Sequence, residues 1–379
     1  MTYIDEIDLS NKKVVIRCDY NVPIKDGKVE DDSRIVKSLN TLKFLLEKNC
    51  SLVIMSHLGK IKSEEDKSKN TLAPVAEILS QKLNREVKFL ANPVGMEVLK
   101  TCKDLQNGEV VLLENTRYCD IPEKLESSND EGLSEYWSKL GDIFVVDAFG
   151  SMHRAHSSVA GISKYLPTYY GFLIKEEIEG LKPVVENPIK PFGVFMGGAK
   201  IDDKLGYIKY LLPKCDYLMV GGGIANSFLH AAGYNVGESL KTDDPEIINE
   251  LKQLMETYKD KLILPVDFEF SGKAIYDLGA KSIEKYNKYF NKCKTIFMNG
   301  SCGKFEEKEF AKGTIDLISN FRNIDAYKVA GGGDTLNVVN EYSLNDAFNF
   351  LSTGGGASLE YVSEGHHAAI DYIENTQNH

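Results

Sequence analysis
Short apolar runs recur along this chain, and stretches with helical spacing separate them. The early runs are KVVIRCDYN, SLVIMSHLG, VVLLENTRY and IFVVDAFGSMHRAH; the late ones are FGVFMGG, YLMVGGG, TIFMNG, YKVAGGGD and FNFLSTGGG. Strands alternating with helices predict an α/β fold with parallel sheets, because each parallel crossover needs a long connection that packs on a sheet face. Between the first two runs, SRIVKSLNTLKFLLEKN sets Ile35, Leu39, Leu42, Leu45 and Leu46 on one helical stripe.

The residues just past the strands differ between the halves. After the early strands come Arg17, Asp19 and Asn21, then His57, Arg117, His153, Arg154 and His156. After the late ones come glycines: Gly197 and Gly198, then Gly221, Gly222 and Gly223, then Gly300, then Gly331, Gly332 and Gly333, and last Gly354, Gly355 and Gly356. Ligands of open parallel sheets bind outside the carboxyl ends of the strands, so both sets stand where a ligand would sit. Random placement of the glycines would give roughly 0.2 triple runs. Any single run also fits a tight turn that needs positive φ or close packing.

A chain of 379 residues with 42% hydrophobic residues can bury sizeable cores, and its length predicts two domains. The net charge of −11 argues against general binding to nucleic acid or anionic membrane, so any cationic site is local. The stretch MTYIDEIDLSNKK has no signal-peptide succession and no apolar run approaches a membrane span, which predicts a cytoplasmic protein. The 7 cysteines form no C-x-x-C pair and fit reduced thiols. Arginine is scarce against lysine, and Arg17, Arg34, Arg117 and Arg154 all fall in the first half. A planar five-donor fork is what lysine cannot replace at a carboxylate or phosphate.

In MGGAKIDDK, Lys200 and Lys204 follow two glycines and would lie on one face of a helix, a pattern suited to nucleotide phosphate. It is not a Walker A loop, since Lys200 follows Ala199 and Lys204 precedes Leu205. No G-x-G-x-x-G follows a strand and no G-x-S-x-G occurs, which removes the main support for a dinucleotide oxidoreductase or a serine hydrolase. Arg154 between His153 and His156 would repel a metal cation. In residues 170–192, Phe172, Leu173, Ile178, Leu181 and Val185 suit an amphipathic helix whose far end Pro183, Pro188 and Pro191 punctuate. A basic pocket for a small polyanion in one domain and a glycine-lined nucleotide pocket in the other suggest phosphoryl transfer with domain closure.

The stretches RCDYNVPI, SHLGK, LLENTRY, DAFGSMHRAHSS, GGAKIDDK, GGGIANSFL, LPVDF, NGSCGKFE, GGGDT and STGGGASLE, in this order, closely resemble the phosphoglycerate kinase family over residues 5–375. That resemblance implies two Rossmann-like domains with parallel sheets joined by an interdomain helix, usually as a monomer. The expected divisions are 1–169 for the acid substrate, 170–187 for the helix, 188–360 for the nucleotide, and a tail, 361–379, packing back on the first domain. It implies reversible phosphoryl transfer between ATP and the carboxylate of 3-phosphoglycerate, giving 1,3-bisphosphoglycerate and ADP with Mg2+, without nucleic-acid or membrane partners.

Residue by residue, the resemblance assigns Arg17, Asp19, Asn21, Arg34, His57, Leu58, Gly59, Lys60, Arg117 and Arg154 to the acid. Arg34 would also neutralise the attacking carboxylate. Lys200 would hold the transferring group and Lys204 the nucleotide phosphates, with Gly355 and Gly356 opening a helix towards the same group. Gly198, Gly221, Gly222, Gly223, Asn299, Glu306, Gly332, Gly333, Asp334 and Thr335 would line the nucleotide, and Asp334 would hold its magnesium. A carboxylate is already a nucleophile at neutral pH, so positioning and charge neutralisation are the expected work and no general base is required. The chain departs from the family at Lys60, where arginine is usual, and at Ser301, Cys302 and Lys304 in a loop usually written N-G-P-x-G-V-F-E. A kinase for another small acid and a non-catalytic binding protein on the same scaffold are the alternatives.

Overall fold
Each of these apolar runs is a strand in the computed structural model, which describes residues 1–377. The chain divides into one unit of residues 1–177 with the tail from His366 on, and a second of Ile178–Gly365. Among the described residues no helix is long and apolar enough to cross a membrane.

In the first unit, β1 (Lys13–Cys18), β2 (Ser51–Met55), β3 (Val87–Leu90), β4 (Val110–Leu113), β5 (Ile143–Asp147) and β6 (Thr168–Tyr170) form one parallel sheet in the order β3-β4-β2-β1-β5-β6. Val14, Val15 and Ile16 of β1 are all fully buried, which is why the strand is a continuous apolar run rather than an alternating one. Each such side chain contributes about 1.5–3 kcal/mol of burial. In register, Arg17 of β1 lies level with Met55 of β2 and Val146 of β5, so the loops beyond these strands open at one edge of the sheet.

Helix α1 (Ser33–Glu47) packs its stripe on this sheet, with Ile35, Leu42 and Leu45 buried and Leu39 and Leu46 at the margin. Its centre is polar: Ser38 meets the Tyr20 hydroxyl at 2.9 Å, and Thr41 Oγ1 accepts the Phe172 N–H at 3.0 Å. Helix α2 (Phe172–Val185) begins there, and Asp147 at the end of β5 accepts the N–H groups of Leu173 (2.9 Å) and Ile174 (3.4 Å). Burial pushes the Asp147 carboxyl up to about 7 against those bonds. The buried apolar positions on α2 are Ile174, Ile178, Leu181 and Val184, so Ile178 and Leu181 of the expected stripe are buried while Ile174 and Val184 take the places of Leu173 and Val185, and the helix continues past Pro183 to Val185. The boundary between the units falls inside this helix, after Glu177.

In the second unit, β7 (Phe192–Met196), β8 (Tyr217–Val220), β9 (Leu262–Ile263), β10 (Thr295–Asn299), β11 (Tyr327–Gly331) and β12 (Phe350–Ser352) form a parallel sheet in the order β9-β8-β7-β10-β11-β12. This is the doubly wound order, with its reversal between β7 and β10, where a ligand crevice is expected. Helices α3 (Gly222–Ala231), α4 (Gly333–Glu341) and α5 (Gly356–Glu364) start directly after β8, β11 and the turn beyond β12.

Helix α6 (Ala368–Gln377) returns to the first unit. The Ala369 N–H donates to Met152 O at 3.1 Å, the Tyr170 hydroxyl to Glu374 at 2.9 Å, and Gln377 Oε1 accepts the Thr168 N–H at 3.0 Å. Residues 361–365, expected in the tail, are instead the end of α5 and its left-handed Gly365 cap, within the second unit. Asn378 and His379 of the expected tail lie outside the described residues.

Candidate active site
The loops beyond β1, β2, β4 and β5 tie charged side chains to one another. Arg34, in the first turn of α1, donates to Asp19 Oδ2 at 2.7 Å and is 39% exposed, so the pair fixes the guanidinium while leaving a face open. Asn21 Oδ1 accepts the Gly59 N–H at 2.9 Å, and Arg117 Nη1 donates to the Gly59 carbonyl. Arg17 is buried and donates Nη2–H to His57 Nδ1 at 2.8 Å. Leu58 is buried, and both its backbone groups are bonded to Asn115, whose Oδ1 accepts the Leu58 N–H at 3.2 Å and whose Nδ2 donates to Leu58 O at 2.7 Å.

Lys60, Arg117 and Arg154 line one cavity of about 560 Å³, together with Lys62, Lys124 and Asp120. The lysine that replaces the family's usual arginine therefore faces the same space as the two expected arginines. The positive field acts on the nearby rings. Burial, then Arg17, Arg117 and Arg34, hold the His57 pKa well below the ordinary histidine value. Burial, then Arg117, Arg17 and Arg154, bring His156 down to about 4. Both rings are neutral at pH 7, and the positive charge comes from arginine and lysine, which suits capture of a small polyanion.

In the second unit, a cavity of about 460 Å³ is lined by Gly198, Gly222, Gly223, Glu306, Asp334 and the 301–305 loop. Lys200 and Lys204 do not share a helix face: the chain bends at Ile201 and turns through 202–204, and the helix begins at Leu205 with Lys204 as its cap. The turn lets Lys204 Nζ reach back to Gly197 O at 2.6 Å and Asn299 Oδ1 at 2.7 Å. These take two of its three N–H groups, leaving one for an anion. Burial lowers the Lys204 pKa to about 8, with Asp334 and Asp203 opposing the shift. Lys200 is exposed.

The glycines divide into two kinds. A Cβ on Gly223 would lie 1.9 Å from Ala199 O, and one on Gly300 2.2 Å from Gly197 O, so these positions serve backbone-on-backbone packing of the loops after β7, β8 and β10. The N–H groups of Gly221 and Gly222 donate to Met196 O (3.1 Å) and Cys302 O (2.9 Å), leaving them no part in binding phosphate. Gly333, Gly355 and Gly356 have nothing within 4 Å of a Cβ and open α4 and α5 towards free space. Gly332 takes φ 93° beside Asn299. Thr335 is buried, its hydroxyl accepting the Gly300 N–H at 2.7 Å and donating to Gly300 O at 3.1 Å. At the departing loop, the Lys304 N–H donates to Tyr276 O at 2.7 Å, its ammonium lies 4.7 Å from the Tyr276 ring centroid, and it pairs with Glu307.

Asp334 was the expected magnesium ligand. Among the described residues no group of three His, Cys, Asp or Glu side chains could hold a metal ion. One carboxylate on a nucleotide-sized cavity does fit Mg2+, which is commonly held by one or two carboxylates with substrate phosphates and water. Asn115, Glu126 and Ser158 support the site but were not singled out in the sequence. Asn115 stands inside LLENTRY, and its place two residues before Arg117 was the signal at hand.

The chain matches the family model described as phosphoglycerate kinase over residues 4–365. It is 44% identical over 379 residues to a phosphoglycerate kinase of Listeria innocua, with 95% of each chain covered. It is 42% identical to one of Macrococcus caseolyticus over the same coverage. Its fold is similar to the solved phosphoglycerate kinase of Coxiella burnetii, with a TM-score of 0.86 at 35% identity over 98% of both chains. The enzyme of Pyrococcus horikoshii gives the same TM-score at 28% identity over 100% of both.

Proposed function
The chain belongs to the phosphoglycerate kinase family, and we infer from that membership that it transfers a phosphoryl group reversibly between ATP and the carboxylate of 3-phosphoglycerate. The observation that carries this reading is the family match from residue 4 to 365, which runs through both units. In the proposed division of labour the first unit holds the acid and the second the nucleotide.

A carboxylate oxygen of the acid attacks the γ-phosphorus, the new O–P bond forms as the bond to the β,γ-bridging oxygen breaks, and the electron pair leaves with ADP. The acid is ionised at neutral pH, so no proton has to be removed and the protein's work is positioning and charge neutralisation. Arg34, held by Asp19, offsets the carboxylate charge as it approaches the phosphate. Arg117, Arg154 and Lys60 hold the acid's own phosphate, and their shared cavity supports that role. Lys204 donates to the nucleotide phosphates with the N–H that Gly197 and Asn299 leave over, and Lys200 reaches the group in transfer. Gly355 and Gly356 present the start of α5 to the same group, where a helix N-terminus favours an anion. Asp334 would hold Mg2+, which supplies charge offset on the phosphates. Leu58 and Thr335 support loops rather than touch ligand, in keeping with their burial.

The reading includes a monomer acting in the cytoplasm without nucleic-acid or membrane partners, supported by the charge of −11 and by free, buried cysteines. The test is the initial rate with MgATP and 3-phosphoglycerate, coupled to reduction of the acyl phosphate. Glycerate without its phosphate is the control. Turnover restricted to the phosphorylated acid is the expected result; equal turnover of both acids, or of neither, overturns the assignment.

A further inference from the structure
A line of buried polar groups in the first unit ends on the His57 ring. Glu126 is 0% exposed and sits in the segment between the turn at Thr116–Asp120 and the helix at Glu131–Ser138. Its carboxylate accepts the Ser158 N–H at 2.9 Å and the Ser158 hydroxyl. A hydroxyl has one hydrogen, so with that hydrogen on Glu126 the Ser158 oxygen is left to accept, and it takes Arg17 Nε–H at 2.9 Å. Arg17, 1% exposed, sends Nη1–H to Cys18 O and Nη2–H to His57 Nδ1 at 2.8 Å.

Arginine has no acceptor and stays protonated, so the last contact has one chemical reading: His57 Nδ1 carries a lone pair. The ring is neutral among the surrounding arginines, and its proton is then on Nε2. Glu126 faces Arg17 through the single Ser158 oxygen. Burial raises the Glu126 pKa, and Arg17 and the two bonds from Ser158 act against that shift. Each member is fixed by the one behind it, over sequence separations of 32, 141 and 40 residues.

We propose that Glu126, acting through Ser158 and Arg17, is the positioning residue that holds His57 as its Nε2–H tautomer, so that the ring offers one defined N–H donor to the anionic acid substrate. The donor role rests on the phosphoglycerate kinase reading; the tautomer does not. A ring with a mixed tautomer would present a lone pair to an anion for part of the time, and anion binding would lose the difference.

The experiment is long-range proton–nitrogen NMR of the histidine-labelled full chain without ligand, for the wild type, Glu126→Gln, Ser158→Ala and Ser158→Thr, with steady-state kinetics on the same samples. The wild type should show the proton on Nε2 of His57. E126Q and S158A should show a mixed or reversed tautomer and a KM for 3-phosphoglycerate raised about five- to tenfold, the loss of one well-placed hydrogen bond. The KM for ATP should stay within about twofold, because the relay touches no nucleotide group. S158T keeps a hydroxyl and should restore both readouts. A wild-type ring protonated on Nδ1 overturns the proposal however the variants fold. So does an unchanged His57 spectrum in folded E126Q and S158A. Failure of the kinase reading shows separately, as a wild type that turns over no 3-phosphoglycerate, whereas the tautomer spectra judge Glu126 in either case.

Discussion
In the first unit the residues proposed to meet the acid are charged side chains held by hydrogen bonds, Arg34 to Asp19, Arg17 to His57, and Arg117 to the Gly59 carbonyl. In the second unit the loops around the cavity are held by backbone packing, with Gly197, Gly223 and Gly300 allowing them to touch where a Cβ would collide. A small, highly charged acid is recognised by forks of fixed direction, and holding those forks in place lowers the ordering cost of binding. A nucleotide is larger and flatter, and close packing of the loops shapes a cavity of about 460 Å³ between their side chains. Preorganisation is achieved by hydrogen bonds in one half and by close packing in the other.

The largest effect that tests this contrast is Arg34→Ala. It should lower kcat/KM by about 100- to 1,000-fold, the usual loss when one electrostatic stabiliser is removed. ATP affinity, measured by calorimetry, should stay within about twofold; a matching loss of nucleotide binding would break the division between the halves. Next is Gly223→Ala, whose Cβ would lie 1.9 Å from Ala199 O. It should destabilise the second unit by about 2–3 kcal/mol and weaken nucleotide binding. Gly356→Ala, with nothing near its Cβ, should leave stability within about 0.5 kcal/mol. Equal denaturant midpoints for the two variants would refute the packing role.

Asn115→Ala sharpens the other side. It leaves the Leu58 N–H and C=O, the Asn70 carbonyl and the Arg117 N–H without a partner, at a cost of about 1–3 kcal/mol. The KM for 3-phosphoglycerate should rise with ATP unaffected, as steady-state kinetics on a sample of confirmed fold would show.

Acidity separates the halves more gently. A bound polyanion offsets the arginines and raises the His156 pKa from about 4 towards the ordinary value. The bound state then holds the extra proton, so the His156 contribution to acid affinity is full below about 4 and is lost as pH rises towards 6.5. In the nucleotide half, phosphate raises Lys204 from about 8, so nucleotide affinity is retained through neutrality and lost above that value. Calorimetry in buffers of different ionisation heat should find proton uptake on acid binding near pH 5 and on nucleotide binding near pH 9; the reverse order would contradict both assignments. The smallest effect is Lys60→Arg, which should lower the KM for the acid by less than about threefold by adding a fork on the shared cavity.

The central strands were legible because they are buried on both faces and read as unbroken apolar runs, as in KVVIRC and IFVVD. Val87–Leu90, Thr168–Tyr170 and Leu262–Ile263 were not, since each is a short sheet edge; Lys88 on the first is exposed. Fold class and the loops that carry charge followed from the sequence. The helix expected to carry Lys200 and Lys204 did not form there, because spacing alone cannot foresee that Lys204 turns back to Gly197 and Asn299. Nor could Ser158 and Glu126 be read: a serine and a glutamate gain meaning only from partners far away in the chain, which periodicity does not encode.

The return of α6 to the first unit makes residues 178–365 an insertion within it. A ribosome therefore releases the second unit, whole and contiguous, before it releases the segment whose Ala369 N–H bonds Met152, just ahead of His153 and Arg154. The half encoded first is the last to be completed, and a chain that stops short of residue 366 carries a finished second unit and a first unit still missing a helix.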